Sequence, residues 1–388
     1  MSGLILTFTG RDAPGITARI SRVLSQSRAR LSDVEQVVVQ GLLTLGFAVE
    51  TEDETALVKE LLFAARELGL ALDYRKPEPS RGEAPPGYAL TLIARTLGPA
   101  QVQAVSEILA AHGANIERIH RLSEGELASV EFAISLAGDV APLERALLVA
   151  AGKAGFDCAL QRESLLRRSK RLIVMDMDST LIGIEVIDEL ARAHGVGEQV
   201  AAITRKAMQG EMEYDQSLRE RVALLRGLDA RVLYELSEDL PLTEGAETLL
   251  RVLKRLGYRT AVISGGFSVA AEALQKRLGI DFAWSNTLEI ESGILTGQVI
   301  GPIVNAQRKA DLLEELARRE NVPLDQVIAI GDGANDLLML QKAGHGIAFH
   351  AKPKLRAAAR TSISARGLDA ILYLLGITGR DIASLENE

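Results

Sequence analysis

The segment 172–180, Leu-Ile-Val-Met-Asp-Met-Asp-Ser-Thr, places two carboxylates at the end of an apolar run. Four consecutive apolar residues predict a strand that is buried on both faces. Ligands of open parallel sheets bind at the carboxyl ends of such strands, and the chain can turn there so that Asp176 and Asp178 reach one centre. Such a pair suits a hard cation, or a nucleophile beside an acid/base group. The alternative is a strand ending in a polar turn, with Asp178 or Ser179 capping the next helix.

A second segment, 327–336, repeats the pattern with the sequence Val-Ile-Ala-Ile-Gly-Asp-Gly-Ala-Asn-Asp. Gly331 and Gly333 allow the backbone to turn sharply and to approach a ligand. Asp332, Asn335 and Asp336 supply further oxygen atoms for a metal. Taken alone, this segment could be a turn with a helix N-cap, but two acidic loops at strand ends favour one shared site.

Two further segments offer groups for an anion. Residues 260–267 predict a third strand that runs into the loop Ser264-Gly265-Gly266, whose hydroxyl and backbone N–H groups can hold a phosphate. Lys309 precedes the second acidic strand and could pair with both a phosphate and a carboxylate nucleophile. A plain turn and a solvated lysine are the alternative interpretations of these two segments.

In this order, D-x-D-S-T, S-G-G, Lys and G-D-G-x-N-D resemble the signature of the haloacid dehalogenase-like phosphatases. Within that superfamily, residues 170–380 resemble the phosphoserine phosphatases. Glu185 follows Asp178 by seven residues, and Met208-Gln209-Gly210 leads into the segment 214–222. One departure from the family pattern is Tyr214, which stands where Phe is expected.

The resemblance implies a Mg²⁺-dependent hydrolysis of O-phospho-L-serine through an aspartyl-phosphate, which is the last step of serine biosynthesis. Asp176 would be the nucleophile and Asp178 the acid/base group. The other implied roles are metal ligation by Asp176, the backbone carbonyl of Asp178, and Asp332; support of the metal by Asn335 and Asp336; phosphoryl binding by Ser264, Gly265 and Lys309; ammonium binding by Glu185; carboxylate binding by Arg221; and further substrate contacts from Met208 and Asn335.

Other functions remain open at this point. A related phosphatase would act on phosphothreonine, phosphohomoserine or a sugar phosphate. Glu185 and Arg221 favour an amino-acid head group, but threonine adds only a methyl group. A non-enzymatic alternative is an amino-acid sensor with an inactive phosphatase half, which the presence of Asp176, Asp178 and Lys309 disfavours.

The composition is that of a globular protein with several domains. The 388 residues suggest two or three domains, and the net charge of −8 gives no support for a nucleic-acid partner. Cys158 is the single cysteine, so no intrachain disulfide can form, and we expect a cytoplasmic protein. Charged residues interrupt residues 1–20, so we expect no signal peptide, and no apolar run reaches membrane-spanning length.

The proline-rich segment 76–88 predicts a linker, and the polar segment 161–170 predicts a weaker boundary. Residues 1–76 and 88–161 both show the order strand–helix–strand–strand–helix–strand, which is ferredoxin-like and indicates a duplication. The predicted architecture is therefore two ferredoxin-like (ACT-like) α+β domains followed by an α/β phosphatase domain, residues 170–388. That domain has a Rossmann-like parallel sheet and a helical cap at about 185–240.

The loop after the first strand resembles the amino-acid-binding turn of ACT regulatory domains. Gly10 and Gly15 would permit the turn, and Asp12 would bind an amino group, with L-serine as the leading effector. A helix N-cap with Pro14 in a helix over 14–27 explains the same residues. The second repeat lacks the aspartate in its loop 95–99. ACT domains usually pair side by side, so the resemblance also implies a homodimer.

Overall fold

The structure, a computed structural model, describes residues 2–77, 87–123, 127–209, 211–364 and 367–387. The chain divides into two compact units, residues 1–84 and 85–388. Residues 78–86, which make up most of the predicted linker, lie outside the described residues.

The first unit is a four-stranded antiparallel sheet with two helices packed against it. Its elements are β1 (Ser2–Arg11), α1 (Ile16–Gln26), β2 (Arg30–Val39), β3 (Leu42–Thr51), α2 (Glu54–Glu67) and β4 (Ala71–Arg75). The strand order β2-β3-β1-β4 confirms the ferredoxin-like arrangement. Leu4, Leu6 and Phe8 alternate along β1 and are buried in the core.

Helix α1 begins later than the predicted Pro14. Gly15 precedes it with a φ of 94°, in the left-handed region, so the helix cannot extend back through this residue. The N-cap alternative for Asp12 is therefore wrong, because Gly15 occupies the N-cap position and no side chain caps α1.

The second unit opens with the other repeat. Its elements are β5 (Gly87–Ala94), α3 (Pro99–Ala111), β6 (Asn115–Ser123), β7 (Ala128–Ser135), α4 (Ala141–Ala154) and β8 (Asp157–Arg162). The strand order β6-β7-β5-β8 matches that of the first unit. This agreement supports the inferred duplication.

The remainder of the second unit is an α/β fold. Its elements are α5 (Leu165–Arg168), β9 (Leu172–Met175), α6 (Val186–Ala193), α7 (Gly197–Gln209), α8 (Tyr214–Ala223), α9 (Ala230–Glu238), α10 (Ala246–Arg255), β10 (Arg259–Phe267), α11 (Ser268–Leu278), β11 (Phe282–Glu291), β12 (Ile294–Ile300), α12 (Ala306–Arg319), β13 (Val327–Gly331), α13 (Leu337–Lys342), β14 (His345–Phe349), α14 (Pro353–Ala358), β15 (Thr361–Ile363), α15 (Ala370–Leu374) and α16 (Gly379–Asn387). Short 3₁₀ turns lie at Leu324–Gln326 and Ala334–Asp336. Helices α6 to α9 occupy the predicted cap insertion.

Strand β9 is the central strand of the parallel part of the sheet. It pairs in parallel with β10 on one side and with β13 on the other, and all residues of β9 and β13 are buried. The strand order therefore reverses at β9, and the carboxyl ends at such a reversal form the crevice in which ligands of α/β sheets bind. The two acidic loops follow β9 and β13, whereas Ser264-Gly265-Gly266, which was predicted as a loop, lies near the carboxyl end of β10.

The second repeat and the α/β fold share one sheet. Strand β15 pairs antiparallel with β8 through Ser362 and Cys158, which makes an 11-stranded sheet with the order β12-β11-β10-β9-β13-β14-β15-β8-β5-β7-β6. Asp157 strengthens the junction, since its carboxylate accepts hydrogen bonds from the Ser364 N–H (2.9 Å) and hydroxyl (2.8 Å). No motif or apolar pattern in the sequence predicts this continuity.

Strands β11 and β12 form an antiparallel hairpin that the sequence analysis also missed. Their turn has Ser292 at φ 51° and Gly293 at φ 82°, as a two-residue hairpin turn with left-handed residues requires. No helix among the described residues is long and apolar enough to cross a membrane.

Candidate active site

The loop after β9 brings both predicted carboxylates to the carboxyl edge of the sheet. Asp176 is buried, and its N–H donates to the Ile330 carbonyl of β13 (2.9 Å), which ties the first acidic loop to the second. The Asp178 carboxylate lies over Gly266, where an added Cβ would come within 2.5 Å of Asp178 Oδ2. Only glycine at position 266 leaves room for this carboxylate.

Lys309 is completely buried and bridges the two acidic loops. Its Nζ lies 2.7 Å from Asp176 Oδ2 and 2.7 Å from Asp336 Oδ1. Burial alone would lower the pKa of Lys309, but the two carboxylates outweigh that effect and raise it. The lysine therefore stays charged and holds Asp176 in one orientation.

Asp176, Asp332 and Asp336 present carboxylate oxygens that all lie within 4.8 Å of one another. Burial, followed by the charge of Asp176, raises the pKa of Asp332 to about 6 and that of Asp336 to about 7. A group of buried carboxylates that repel one another is the donor set that a hard divalent cation prefers. These residues fit a divalent metal ion.

Asp336 differs from the other two carboxylates because both of its oxygens already have partners. Oδ1 accepts from Lys309 Nζ, and Oδ2 accepts from the Gly333 N–H at 2.9 Å. This arrangement supports the predicted position of Asp336 outside the innermost metal ligands.

Asp178 faces a different environment from Asp176. Burial raises its pKa well above the ordinary value, and the nearby charges of Glu185 and Asp176 raise it further. The Val186 N–H contacts its Oδ1 at 3.4 Å. A carboxyl group with a raised pKa holds its proton to a higher pH, as a general acid requires.

The segment Ser264-Gly265-Gly266, near the carboxyl end of β10, presents a hydroxyl group to the same crevice. Ser264 is buried, and its Oγ accepts a hydrogen bond from the Gly266 N–H at 2.9 Å. Tyr214, the departure from the family pattern, lies over this segment, with its hydroxyl 3.5 Å from the Gly265 carbonyl oxygen. A Cβ at Gly265 would come within 2.1 Å of that hydroxyl, so the observed position of the Tyr214 ring requires glycine there.

A cavity of about 840 Å³ lies between this edge and the cap helices. It brings together most of the predicted residues, and its wall includes Asp176, Asp178, Glu185, Met208, Arg221, Ser264, Gly265, Asp332 and Asn335. Lys309 and Asp336 lie behind this wall and reach the cavity through their contacts with Asp176 and the acidic loop. The predicted contact between Lys309 and phosphate stays a prediction.

Glu185 and Arg221 reach the cavity from the cap side. Glu185 Oε1 accepts a hydrogen bond from the Ser179 hydroxyl at 2.9 Å. The Arg221 Nε donates to the Ser217 carbonyl of its own helix at 3.3 Å, and no ion pair of this guanidinium is found among the described residues. An anionic and a cationic group on one cavity wall are what a zwitterionic head group requires.

Lys352 is a site residue that sequence analysis missed. Its Nζ lies 3.0 Å from Asp332 Oδ2 and 3.4 Å from Glu185 Oε1, and its N–H donates to the Asp332 carbonyl at 2.9 Å. It therefore connects the acidic loop to the cap side of the cavity. The available signal was its position, since Lys352 lies just beyond the end of a strand and directly before Pro353, where a helix begins. It was missed because no acidic motif follows that strand.

The predicted effector residues lie in the first unit. Gly10 lies within β1, where an added Cβ would come within 2.6 Å of Leu70 Cδ2, so this position is constrained by packing. The Asp12 side chain is exposed, and its N–H donates to the Gly41 carbonyl at 2.9 Å. Binding of an amino acid by Gly10, Asp12 and Gly15 stays a prediction.

Comparisons with known proteins match all three parts of the chain. Residues 170–344 match the haloacid dehalogenase-like hydrolase family, and residues 2–75 and 87–161 each match an ACT domain family. The phosphoserine phosphatase of Streptomyces coelicolor is 43% identical over 388 residues, which cover 99% of this chain and 94% of the relative. Phosphoserine phosphatase SerB2 of Mycobacterium tuberculosis is 43% identical over 390 residues, which cover 99% and 95%.

Solved structures agree with these matches. The unliganded probable phosphoserine phosphatase of Vibrio cholerae superposes with a TM-score of 0.59 at 35% identity and covers 77% of this chain and 89% of its own. A phosphoserine phosphatase solved as a phospho-aspartyl intermediate analogue superposes with a TM-score of 0.51 at 44% identity. The match covers 53% of this chain and 98% of the solved chain.

Proposed function

Because the chain belongs to the phosphoserine phosphatase family of the haloacid dehalogenase-like hydrolases, we propose that it hydrolyses O-phospho-L-serine to L-serine and phosphate. The reaction proceeds through an aspartyl-phosphate and ends serine biosynthesis. The observation that carries this proposal is the 2.7 Å contact between the buried Lys309 and Asp176, which lies at the reversal point of the sheet and on the wall of a cavity that also presents Glu185 and Arg221.

We propose the residue roles that the family resemblance implies, and the places of these residues in the cavity support them. Asp176, held by Lys309, attacks phosphorus and forms the aspartyl-phosphate. Asp178 protonates the leaving serine oxygen and then takes a proton from the water that cleaves the intermediate. Ser264 and the Gly265 backbone hold phosphoryl oxygens where negative charge develops.

The cluster of carboxylates formed by Asp176, Asp332 and Asp336 supports a Mg²⁺ site. Asp176 and Asp332, with the backbone carbonyl of Asp178, would hold the ion, and Asn335 and Asp336 would support these ligands. A bound divalent cation neutralises phosphate charge and orients the phosphoryl group. The support for this assignment is that carboxylate oxygens of Asp176, Asp332 and Asp336 all lie within 4.8 Å of one another.

Recognition of the head group is assigned to the cap side. Glu185 binds the substrate ammonium, and Arg221 binds its carboxylate through guanidinium N–H groups. Met208, whose side chain is exposed on the cavity wall, lies against the substrate. Phosphothreonine remains the second candidate substrate, because one extra methyl group changes binding by only about 1–3 kcal/mol.

The direct test is phosphate release from phosphoserine, phosphothreonine, phosphohomoserine and sugar phosphates, each with Mg²⁺ and with EDTA. We expect phosphoserine to give the highest kcat/KM and EDTA to abolish release. A preference for a sugar phosphate would contradict the proposal, and an absence of release from every substrate would favour a sensor with an inactive phosphatase half.

The two ACT domains suggest that the enzyme is regulated by a small effector. We propose L-serine, the reaction product, as that effector and the turn Gly10–Gly15 as its site. Calorimetry of the full chain with serine, glycine and other amino acids tests this proposal, using Asp12→Ala as the variant. If millimolar serine binds only at the catalytic cavity, the domains serve assembly alone.

We also propose a homodimer formed through the edge strand β2. All ten residues of β2 are exposed, among them Val34, Val37, Val38 and Val39. An uncovered apolar edge strand is a template for pairing with a second chain. Sedimentation of the wild type and of Val37→Lys measures this, and a monomeric wild type would contradict it.

The single cysteine, Cys158, is buried, and we retain the cytoplasm as the proposed location.

A further inference from the structure

The regular pairing of β10 with β11 breaks down where β10 enters the site. The register between these strands shifts between Ile263 and Phe267, so the segment Ser264–Gly266 lies in an irregular stretch. Irregularities of this kind next to active sites re-aim side chains. Because the strand ladder cannot fix this segment, other groups must hold it.

Asn286 on β11 supplies that support and belongs to none of the sequence motifs. Its side chain is 1% exposed, Nδ2 donates to the Gly265 carbonyl at 2.8 Å, and Oδ1 accepts from the Val304 N–H at 2.8 Å. One partner is an acceptor and the other a donor. This pairing determines the orientation of the amide group.

The hydrogen bond from Asn286 to Gly265 affects Ser264 through the peptide group that joins Gly265 to Gly266. The Gly265 carbonyl and the Gly266 N–H belong to the same planar unit, so holding the carbonyl also sets the direction of the N–H. That N–H donates to Ser264 Oγ at 2.9 Å. The serine hydroxyl, having accepted this bond, keeps its own proton for a different acceptor.

The contact of Asn286 with Val304 leads toward Lys309, the other side chain that is expected to bind the phosphoryl group. Val304 immediately precedes Asn305, which caps α12, and α12 carries Lys309. Asn286 thus connects the segment Ser264–Gly266 to the segment that leads into the Lys309 helix.

We propose that Asn286 is a positioning residue that aims the Ser264 hydroxyl at a phosphoryl oxygen of the substrate. The proposal rests on the proposed function in so far as a phosphomonoester occupies the cavity. It makes Asn286 a determinant of phosphoryl binding, and it leaves recognition of the amino-acid head group to Glu185 and Arg221.

The test is Asn286→Asp in the full chain, which keeps the shape and the acceptor for Val304 but removes the donor to Gly265. We expect kcat/KM to fall about 10- to 100-fold for both phosphoserine and p-nitrophenyl phosphate. Calorimetry with Mg²⁺ should show a loss of about tenfold or more in affinity for inorganic phosphate. Competitive inhibition by L-serine, which has no phosphoryl group, should be unchanged.

Two further variants separate positioning from folding. Thr287→Val, at the neighbouring position of β11 whose side chain points to the other face, is the matched control and should leave all these values unchanged. Asn286→Ser leaves space for water to reach the freed backbone groups, so it keeps the test possible if Asn286→Asp does not fold. It should show a smaller loss in the same direction.

A double-mutant cycle tests whether Asn286 acts through Ser264. In a Ser264→Ala background, Asn286→Asp should cost little, because the two residues share one effect. Full additivity would overturn the proposal, as would a folded Asn286 variant with unchanged phosphate affinity, or a loss confined to phosphoserine. If the wild type cleaves p-nitrophenyl phosphate but not phosphoserine, the proposed substrate fails while the role of Asn286 is still decided by the phosphate measurements.

Discussion

Both carboxylate oxygens of Asp176 have partners: Oδ2 contacts Lys309 Nζ, and Oδ1 accepts a hydrogen bond from the Met177 N–H at 2.7 Å. Asp176→Asn keeps the shape but replaces a nucleophilic oxygen with an amide nitrogen. We expect turnover to vanish while the thermal midpoint stays close to that of the wild type. Phosphate release after removal of any deamidated fraction measures this, and residual activity above a few per cent would exclude Asp176 as the nucleophile.

Glu185 and Arg221 are expected to act on the head group alone. Glu185→Gln and Arg221→Ala should therefore raise KM for phosphoserine by about tenfold or more, since each removes a charge-assisted hydrogen bond. The KM for p-nitrophenyl phosphate, which lacks both charged groups, should change little. Equal losses on the two substrates would show that these residues support the cap and do not read the substrate.

His345 couples stability to pH at a site remote from the cavity. It is buried at the start of β14, and burial, with smaller contributions from Lys170 and Arg167, lowers its pKa to about 3. The unfolded chain, with a pKa near 6.5, binds the proton first as pH falls. The stability that neutral His345 contributes is therefore fully present above about pH 6.5 and is lost between there and pH 3, by up to about 1.4 kcal/mol per pH unit.

Replacing His345 should flatten this dependence. We expect the thermal midpoint of His345→Asn to fall less than that of the wild type between about pH 7 and pH 5, because the variant has no buried imidazole to protonate. Thermal unfolding followed by circular dichroism at the two pH values measures the difference. An identical drop in both proteins would show that His345 does not contribute to acid sensitivity.

At the scale of elements, a hydrogen bond connects the cap helix α8 to the N-cap of α12, the helix that carries Lys309. Asn305 caps α12 through Oδ1, which accepts from the Arg308 N–H at 3.0 Å, and its Nδ2 donates to Asp215 Oδ1 at 3.1 Å. Asp215 lies in the first turn of α8, the helix that carries Arg221. This contact holds the cap helix against the helix of Lys309.

Exchanging the two side chains tests the connection. Asn305→Asp keeps a good N-cap but sets two carboxylates against each other, so we expect a several-fold higher KM for phosphoserine and faster amide exchange in α8. Adding Asp215→Asn restores a donor opposite a carboxylate and should recover both values. A double variant as impaired as Asn305→Asp alone would show that the contact is incidental.

The elements were predicted where apolar periodicity was strong, and missed where it was weak. Both ferredoxin-like repeats and the three strands of the site follow the predicted order, because each combines a regular apolar pattern with a turn residue. The β11–β12 hairpin was missed because its strands are only partly buried and lack an apolar run. Its Ser292-Gly293 turn was the available signal.

The site residues divide in the same way. Asp176, Asp178 and Asp332 lie in motifs that follow buried strands, so the sequence places them at one edge of the sheet. Asn286 and Lys352 lie outside those motifs and reach the site only through the pairing of β11 with β10 and of β14 with β13. Local patterns do not carry such long-range contacts.

At the scale of the whole molecule, the second ACT-like repeat is built into the catalytic body. Ile93, Leu122 and Ala159 of that repeat belong to the same buried cluster as Ile173 and many other residues of the α/β fold. The Gln161 side chain donates to the Leu374 carbonyl at 2.9 Å across the same junction. The first unit, in contrast, has a separate core of its own.

Two truncations should therefore behave differently. A chain that starts at Gly87 keeps the complete 11-stranded sheet. We therefore expect its thermal midpoint to lie near that of the transition in which the second unit unfolds in the full-length protein, and its kcat to be unchanged. It should lose any non-competitive effect of serine that depends on the turn Gly10–Gly15. Circular dichroism, phosphate release and serine titration of this chain and the full-length protein measure these expectations.

A chain that starts at Lys170 uncovers the edge of β15 and the apolar surface that Ile93, Leu122 and Ala159 cover. Burial of apolar area contributes about 25 cal/mol per Å², and an uncovered strand edge promotes association between chains. We expect this shorter chain to melt at least several degrees below the chain that starts at Gly87 and to aggregate on concentration, which light scattering would detect. If both truncations are equally stable and monomeric, the shared sheet does not contribute to the stability of the catalytic body, and residues 161–170 are a boundary between independent domains.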